Sequence, residues 1–177
     1  MFVLEEMDPS AYRRKTRNAT LIIMAMFIVI GMITATTFVK YLSPYNNNMI
    51  VLNLLGALLG LVITFFIVKW FFADKPWMHE TMYAWRLKRN LMKISNAHEP
   101  LLKAVEEQDP EAMKILRFYH LGLTQMHTLE NNYHALTDLK AEKEQLETQM
   151  QAQNLSLEQD GFDPKQLAPY ESDRSAS

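Results

Sequence analysis

Three histidines, His120, His127 and His134, stand seven residues apart, with Glu130 between the last two. Imidazole and carboxylate groups hold zinc and related ions, with nitrogen about 2.1 Å from the metal. On one straight helix, however, neighbours in this row are about 10 Å apart along the axis, so two of them cannot share an ion. His127 with Glu130, or Glu130 with His134, would need ligands from another helix or chain. A solvated polar face explains the row better, and no metal site, cofactor or catalytic residue is expected.

Other chemistry is as sparse. The chain has no GxGxxG, GxxxxGKS/T, HExxH or GxSxG string, so nucleotide, phosphate, zinc-protease and serine-hydrolase readings have no motif behind them. It has no cysteine, which excludes disulfides, thiolate zinc sites and cysteine nucleophiles. No enzyme is expected. A net charge of −2 over 177 residues gives no broad basic field for nucleic acid. That length allows one modest domain or two small parts.

The elements carrying these residues follow from where the apolar side chains fall. Residues 20–39 and 50–68 hold no charged side chain. At 1.5 Å per residue, each run spans about 30 Å as a helix, the thickness of a hydrocarbon core. Two helices apolar on every side cannot be covered by the polar remainder, so both are expected to cross a membrane. The first run exceeds a signal-peptide core and lacks an A-x-A site, so it is expected to stay attached. Only residues 42–49 connect the runs, and Ser43, Pro44 and Asn46 to Asn48 supply turn chemistry for an antiparallel hairpin.

Arg13, Arg14, Lys15 and Arg17 precede the first span, and Lys69, Lys75, Arg86, Lys88, Arg89 and Lys93 follow the second. The connection carries only Lys40 at its edge. That asymmetry puts both termini, Arg17 and Ser177 included, in the cytoplasm and residues 43–48 outside. Trp70, Phe71, Phe72 and Trp77 at one end, and Tyr41 and Tyr45 at the other, suit the membrane interface. Folding about the midpoint of Tyr45 and Asn46 brings Gly31 level with Gly60 and Ala35 level with Gly56, a seam of small residues. Thr34, Thr36, Thr37 and Asn53 can bond across the hairpin or to their own helix backbone. With no ionisable group inside either span, proton-relay and ion-pathway residues are missing.

Outside the spans, Asp8 and Pro9 start a short helix leading to the first span. Residues 77–94 read as an amphipathic helix, with Trp77, Ala84, Leu87, Leu91 and Ile94 on one face widened by Met78, Met82, Trp85 and Met92. It suits either a membrane surface or packing on later helices. A shorter helix carries Leu101, Leu102 and Val105, and Asp109 with Pro110 starts the longest stretch, to about Gln153. Gly122 marks a kink or break within it, and its second half, with Leu129, Leu136, Leu139, Leu146 and Met150, reads as a coiled-coil extension. That stripe either pairs two copies or folds back on residues 77–94. The expected parts are 1–19, a basic cytoplasmic segment; 20–72, the hairpin; 73–153, a cytoplasmic helical domain; and 154–177, too polar to pack and read as disordered.

Residues 101–122 faintly resemble one helix pair of a Sel1-like or tetratricopeptide array, but one copy cannot form a stacked core. Read together, Tyr12-Arg13-Arg14, the two spans, Leu116-Arg117-Phe118-Tyr119-His120 and Leu129-Glu130-Asn131-Asn132 are similar to a family of uncharacterised two-span membrane proteins of Gram-negative bacteria, a domain of unknown function. The resemblance covers roughly Met1 to Lys140, implies an inner-membrane location and brings no substrate or site residue. The expectation is an all-α, membrane-tethered interaction or assembly protein whose cytoplasmic helices pair with a second copy or another protein. A small transport or channel subunit built from several hairpins is the alternative.

Overall fold

The computed structural model describes residues 1–171, apart from the side chain of Asp138. Among them seven α-helices and one pair of two-residue strands are formed: β1 (Phe2–Val3), α1 (Pro9–Leu42), α2 (Met49–Ile67), α3 (His79–Asn96), α4 (His98–Glu106), α5 (Pro110–Leu129), α6 (Tyr133–Ala152), β2 (Gly161–Phe162) and α7 (Ala168–Glu171). The class is all-α. Two compact units result, a hairpin unit of Arg14–Met82 and a helical unit of Met1–Arg13 with Tyr83–Ser177.

At the start of α1, Asp8 accepts hydrogen bonds from the Ser10 hydroxyl at 2.6 Å and the Ala11 amide at 2.8 Å, beside a proline that needs no donor. No breaker follows until Pro44, so the short leading helix and the first span are one helix of 34 residues. The turn after Leu42 lies where the sequence places it. Asn48 caps α2 by accepting from the Val51 amide at 3.2 Å, and Asn46 accepts from the Asn48 amide at 2.9 Å.

Helices α1 and α2 are both long and apolar enough to cross a membrane. They meet along the expected small residues. A methyl added at Gly56 would lie 2.5 Å from the Ala35 Cα, and one at Gly60 would lie 2.6 Å from the Gly31 Cα. Gly31 is different, because its own Cβ would meet only Phe27 of the same helix, at 3.6 Å. Leu52, Gly56, Gly60 and Thr64 are the buried residues of α2. Thr34, Thr36, Thr37 and Thr64 donate to carbonyls three or four residues back, and Asn53 donates to Met49 O. The polar groups therefore satisfy their own helices. Five residues of π-helix, Val68–Phe72, end α2, and Lys15 pairs with Glu80 at 2.5 Å within the same unit.

In the helical unit α5 is the central element. Ala112, Met113, Ile115, Leu116 and Phe118 are buried against Ile94 of α3, Leu101 and Val105 of α4, and Leu146 and Met150 of α6. The expected start at Asp109 holds: its side chain accepts from the Glu111 amide at 2.8 Å and from the Tyr170 hydroxyl at 2.6 Å. The expected continuous helix to Gln153 does not form. It breaks at Asn131, whose φ of 61° is one asparagine tolerates, and the Asn132 amide bonds back to His127 O at 2.8 Å. Gly122 is neither kink nor break. It lets α5 approach α3, since a Cβ there would stand 2.8 Å from the Leu91 Cδ2.

The break folds α6 back antiparallel to α5, and the stripe read as a coiled-coil seam is used within the chain. Leu139, Leu146 and Met150 are buried, with Met150 and Leu146 in the main core. Leu146 and Met150 share that core with Ile94 of α3, Leu101 and Val105 of α4 and the buried face of α5. The reading of 154–177 as disordered is also corrected over its described part. β2 pairs antiparallel with β1, Phe162 stacks on Phe118 with ring centroids 5.2 Å apart, and Leu167 is fully buried. A few well-placed apolar residues are enough, because β1 supplies a ladder and α5 a surface. Residues 172–177 lie outside the described residues. The N-terminus likewise belongs to this core: Phe2 rests on Phe118 and Tyr83.

Candidate functional site

Helices α4, α5 and α6 enclose a cleft of about 290 Å³. Leu102 and Val105 of α4, Leu116 of α5 and Leu146 of α6 give it an apolar lining. His98, Glu106, His120, Glu142, Gln145 and Gln149 add polar groups. The hairpin turn at residues 130–132 produces this arrangement, because it lays the polar second half of the helical stretch across His120.

His120 is only 4% exposed, so the expectation of a solvated histidine row fails at its first member. Its Nε2 lies 3.9 Å from a Glu142 carboxylate oxygen, and its Nδ1 is buried without a hydrogen bond. Burial, reinforced by Arg117, His98 and Lys143 and opposed by Glu147, pushes the imidazole down to about 4. At neutral pH it is uncharged, a hydrogen-bonding group and not a cation. His127 is half-buried on α5, and His134 is exposed at the start of α6. The turn thus divides the row between two helices. Among the described residues no three His, Asp or Glu side chains converge as metal ligands.

Sequence reasoning passed over the strongest polar link in this region. Arg117, with a side chain 9% exposed, donates from Nε to Leu157 O at 3.0 Å and from a terminal nitrogen to Glu147. One side chain so ties α5 to α6 and to the segment before β2. The detectable signal was a single arginine inside the apolar run Ile115 to Phe118. A second closed network holds the N-terminal strand. The Glu5 amide donates to the Tyr83 hydroxyl at 3.0 Å, which donates to Gln125 at 2.6 Å, and Gln125 donates back to Glu5 O. Burial raises the Tyr83 hydroxyl above its ordinary value, favouring the donor form.

Chemically, the cleft can hold an apolar group about the size of one or two side chains, with neutral imidazole and carboxylates to orient it. The histidine is too weak a base near pH 7 for efficient proton abstraction.

No match is found among the curated proteins or the solved structures. The family model described as "Protein of unknown function (DUF3087)" matches residues 2–167, further than the expected boundary near Lys140 and through the segment that carries Phe162 and Leu167. The chain belongs to that family.

Proposed function

We propose that this protein is a membrane-tethered helical interaction module, anchored in the bacterial inner membrane by the α1–α2 hairpin with both termini in the cytoplasm. The observation that carries the reading is the distribution of apolar surface. The helical unit buries its own core, whereas α1 and α2 bury little beyond their small-residue seam and leave Leu21, Ile28, Met32, Ile50, Leu54 and Phe65 exposed. Such continuous apolar surface suits lipid and not water. The basic flanks at residues 13–17 and 69–93 support the orientation.

In this reading the α4–α5–α6 cleft is the recognition surface, taking a side chain or short segment of a partner protein or of a second copy. Because Leu139, Leu146 and Met150 are buried within the chain, this reading does not rely on the coiled-coil stripe for self-association. A photo-crosslinking residue at Gln145 or Gln149 of the full chain in native membranes tests it. A discrete adduct, lost on His120→Trp, is expected. Membrane-embedded protein that gives no adduct from either position contradicts the recognition role, and protein released by alkaline wash contradicts the anchor.

A further inference from the structure

The second face of α3 is unused by the fold. At 100° per residue, Tyr83, Leu87, Leu91 and Ile94, all buried, fall within an arc of about 80°. Trp85, Arg89 and Met92 are centred on the opposite side, where Trp85 is 53% and Met92 66% exposed. The Arg89 guanidinium sits over the Trp85 ring, 5.3 Å from its centroid. A large aromatic and a methionine, interleaved with Arg86, Arg89 and Lys93, with Lys88 paired to Glu130 at 2.5 Å and with Glu80 as the helix's one acid, form an apolar stripe with cationic flanks.

Charge says what covers it. Residues 1–93 carry 11 Lys and Arg against 5 Asp and Glu, whereas residues 94–177 carry 7 against 15. The basic half also holds both candidate membrane spans. Six residues lie between Phe72, at the end of the second candidate span, and His79, the first residue of α3, and the seven Cα steps across them limit the reach to about 25 Å. A helix with apolar anchors and cationic flanks on so short a leash meets headgroups before any soluble partner.

We propose that the Trp85–Arg89–Met92 face of α3 is a docking surface for anionic phospholipid headgroups. Trp85 and Met92 enter the interfacial region while Arg89 and Lys93 meet phosphate. The inference rests on the membrane reading above and adds a lipid class to it. It gives α3 two occupied faces, one in the helical core and one on the bilayer.

The chain has no cysteine, so single labels are clean. The full-length protein carrying an NBD fluorophore at Met92→Cys is reconstituted into phosphatidylcholine vesicles with or without phosphatidylglycerol. A second sample carries the label at Val62→Cys, exposed on α2. The expected result is a dequenched, blue-shifted signal at position 62 in both lipids and at position 92 only with phosphatidylglycerol. Arg89→Gln with Lys93→Gln should weaken docking of position 92 about 30-fold, from roughly fivefold for each cation near an anionic surface. Should that variant misfold, raised salt on the parent chain must undo docking in the same way. An aqueous signal at position 62 overturns the membrane reading and this inference with it. A lipid-like signal at 62 with an aqueous one at 92 in both lipids overturns the inference alone. Equal shielding of 92 in both lipids overturns the anionic preference, and shielding already present in detergent assigns the face to protein.

Discussion

Substituting the glycines of the hairpin one at a time separates two glycines that look alike in sequence. An added methyl at Gly60 would lie 2.6 Å from the Gly31 Cα and 2.8 Å from the Thr34 hydroxyl, against an ordinary carbon contact of about 3.5–4 Å. The backbone on the far side cannot rotate away, so α1 and α2 must part by about 1 Å for alanine and by about 2–3 Å for leucine. Overpacking of this kind costs about 1–3 kcal/mol. Gly31 faces the other way: its Cβ meets only the Phe27 ring at 3.6 Å, an ordinary contact. Spin labels at Ile28→Cys and Ile63→Cys, both exposed, read the separation by electron double resonance in the full chain in lipid nanodiscs. Gly60→Leu should lengthen the distance by about 2–3 Å and Gly31→Leu should leave it nearly unchanged. Equal lengthening by both, or by neither, refutes a seam in which the Cβ direction at position 60 sets the approach.

Four further outcomes follow from the helical unit. Arg117→Ala should lower its stability by about 3 kcal/mol, because Glu147 and Leu157 O lose their shared donor, and hydrogen exchange should quicken in α5, α6 and residues 154–160 together. Phe162→Ala should cost about 3 kcal/mol or more and release β1 as well as β2, which exchange of the Leu4 amide, bonded to Asp160 O at 2.8 Å, reports. His120 binds its proton more weakly when folded, near 4, than unfolded, near 6.5, so its contribution is complete above about pH 6.5 and is lost as pH falls towards 4. Contact of the cleft with solvent limits it to about 2 kcal/mol, and His120→Gln should flatten melting temperature across that window. Tyr83→Phe should cost about 1 kcal/mol and loosen residues 1–7 selectively, since the Glu5 amide and Gln125 lose their common partner.

The hairpin was legible because its determinants are local: two uncharged runs, a turn rich in asparagine, and a fixed register that a short loop imposes. The level matching of Gly56 with Ala35 and of Gly60 with Gly31 followed from that register alone. The helical unit was legible only in pieces. Asp109 and Pro110 announce a boundary, but the break at Asn131 depends on one residue adopting a left-handed conformation within an otherwise helical pattern. Missing that break turned an intramolecular hairpin into an extended helix and left His120 on a surface it does not occupy. Phe162 and Leu167 were hidden for another reason: a polar segment needs only two buried side chains when a strand partner waits 160 residues upstream. Arg117 and Tyr83 owe their roles to partners 30–78 residues distant, which no periodicity displays.

The membrane hairpin is tested most directly by topology labelling with single cysteines at Asn47→Cys, in the α1–α2 turn, and Glu144→Cys, exposed on α6. A membrane-impermeant maleimide applied to cells with the outer membrane permeabilised should modify position 47 at once and reach position 144 only after the inner membrane is lysed. Modification of 144 with protection of 47, or equal modification of both before lysis, would contradict a hairpin with two cytoplasmic ends.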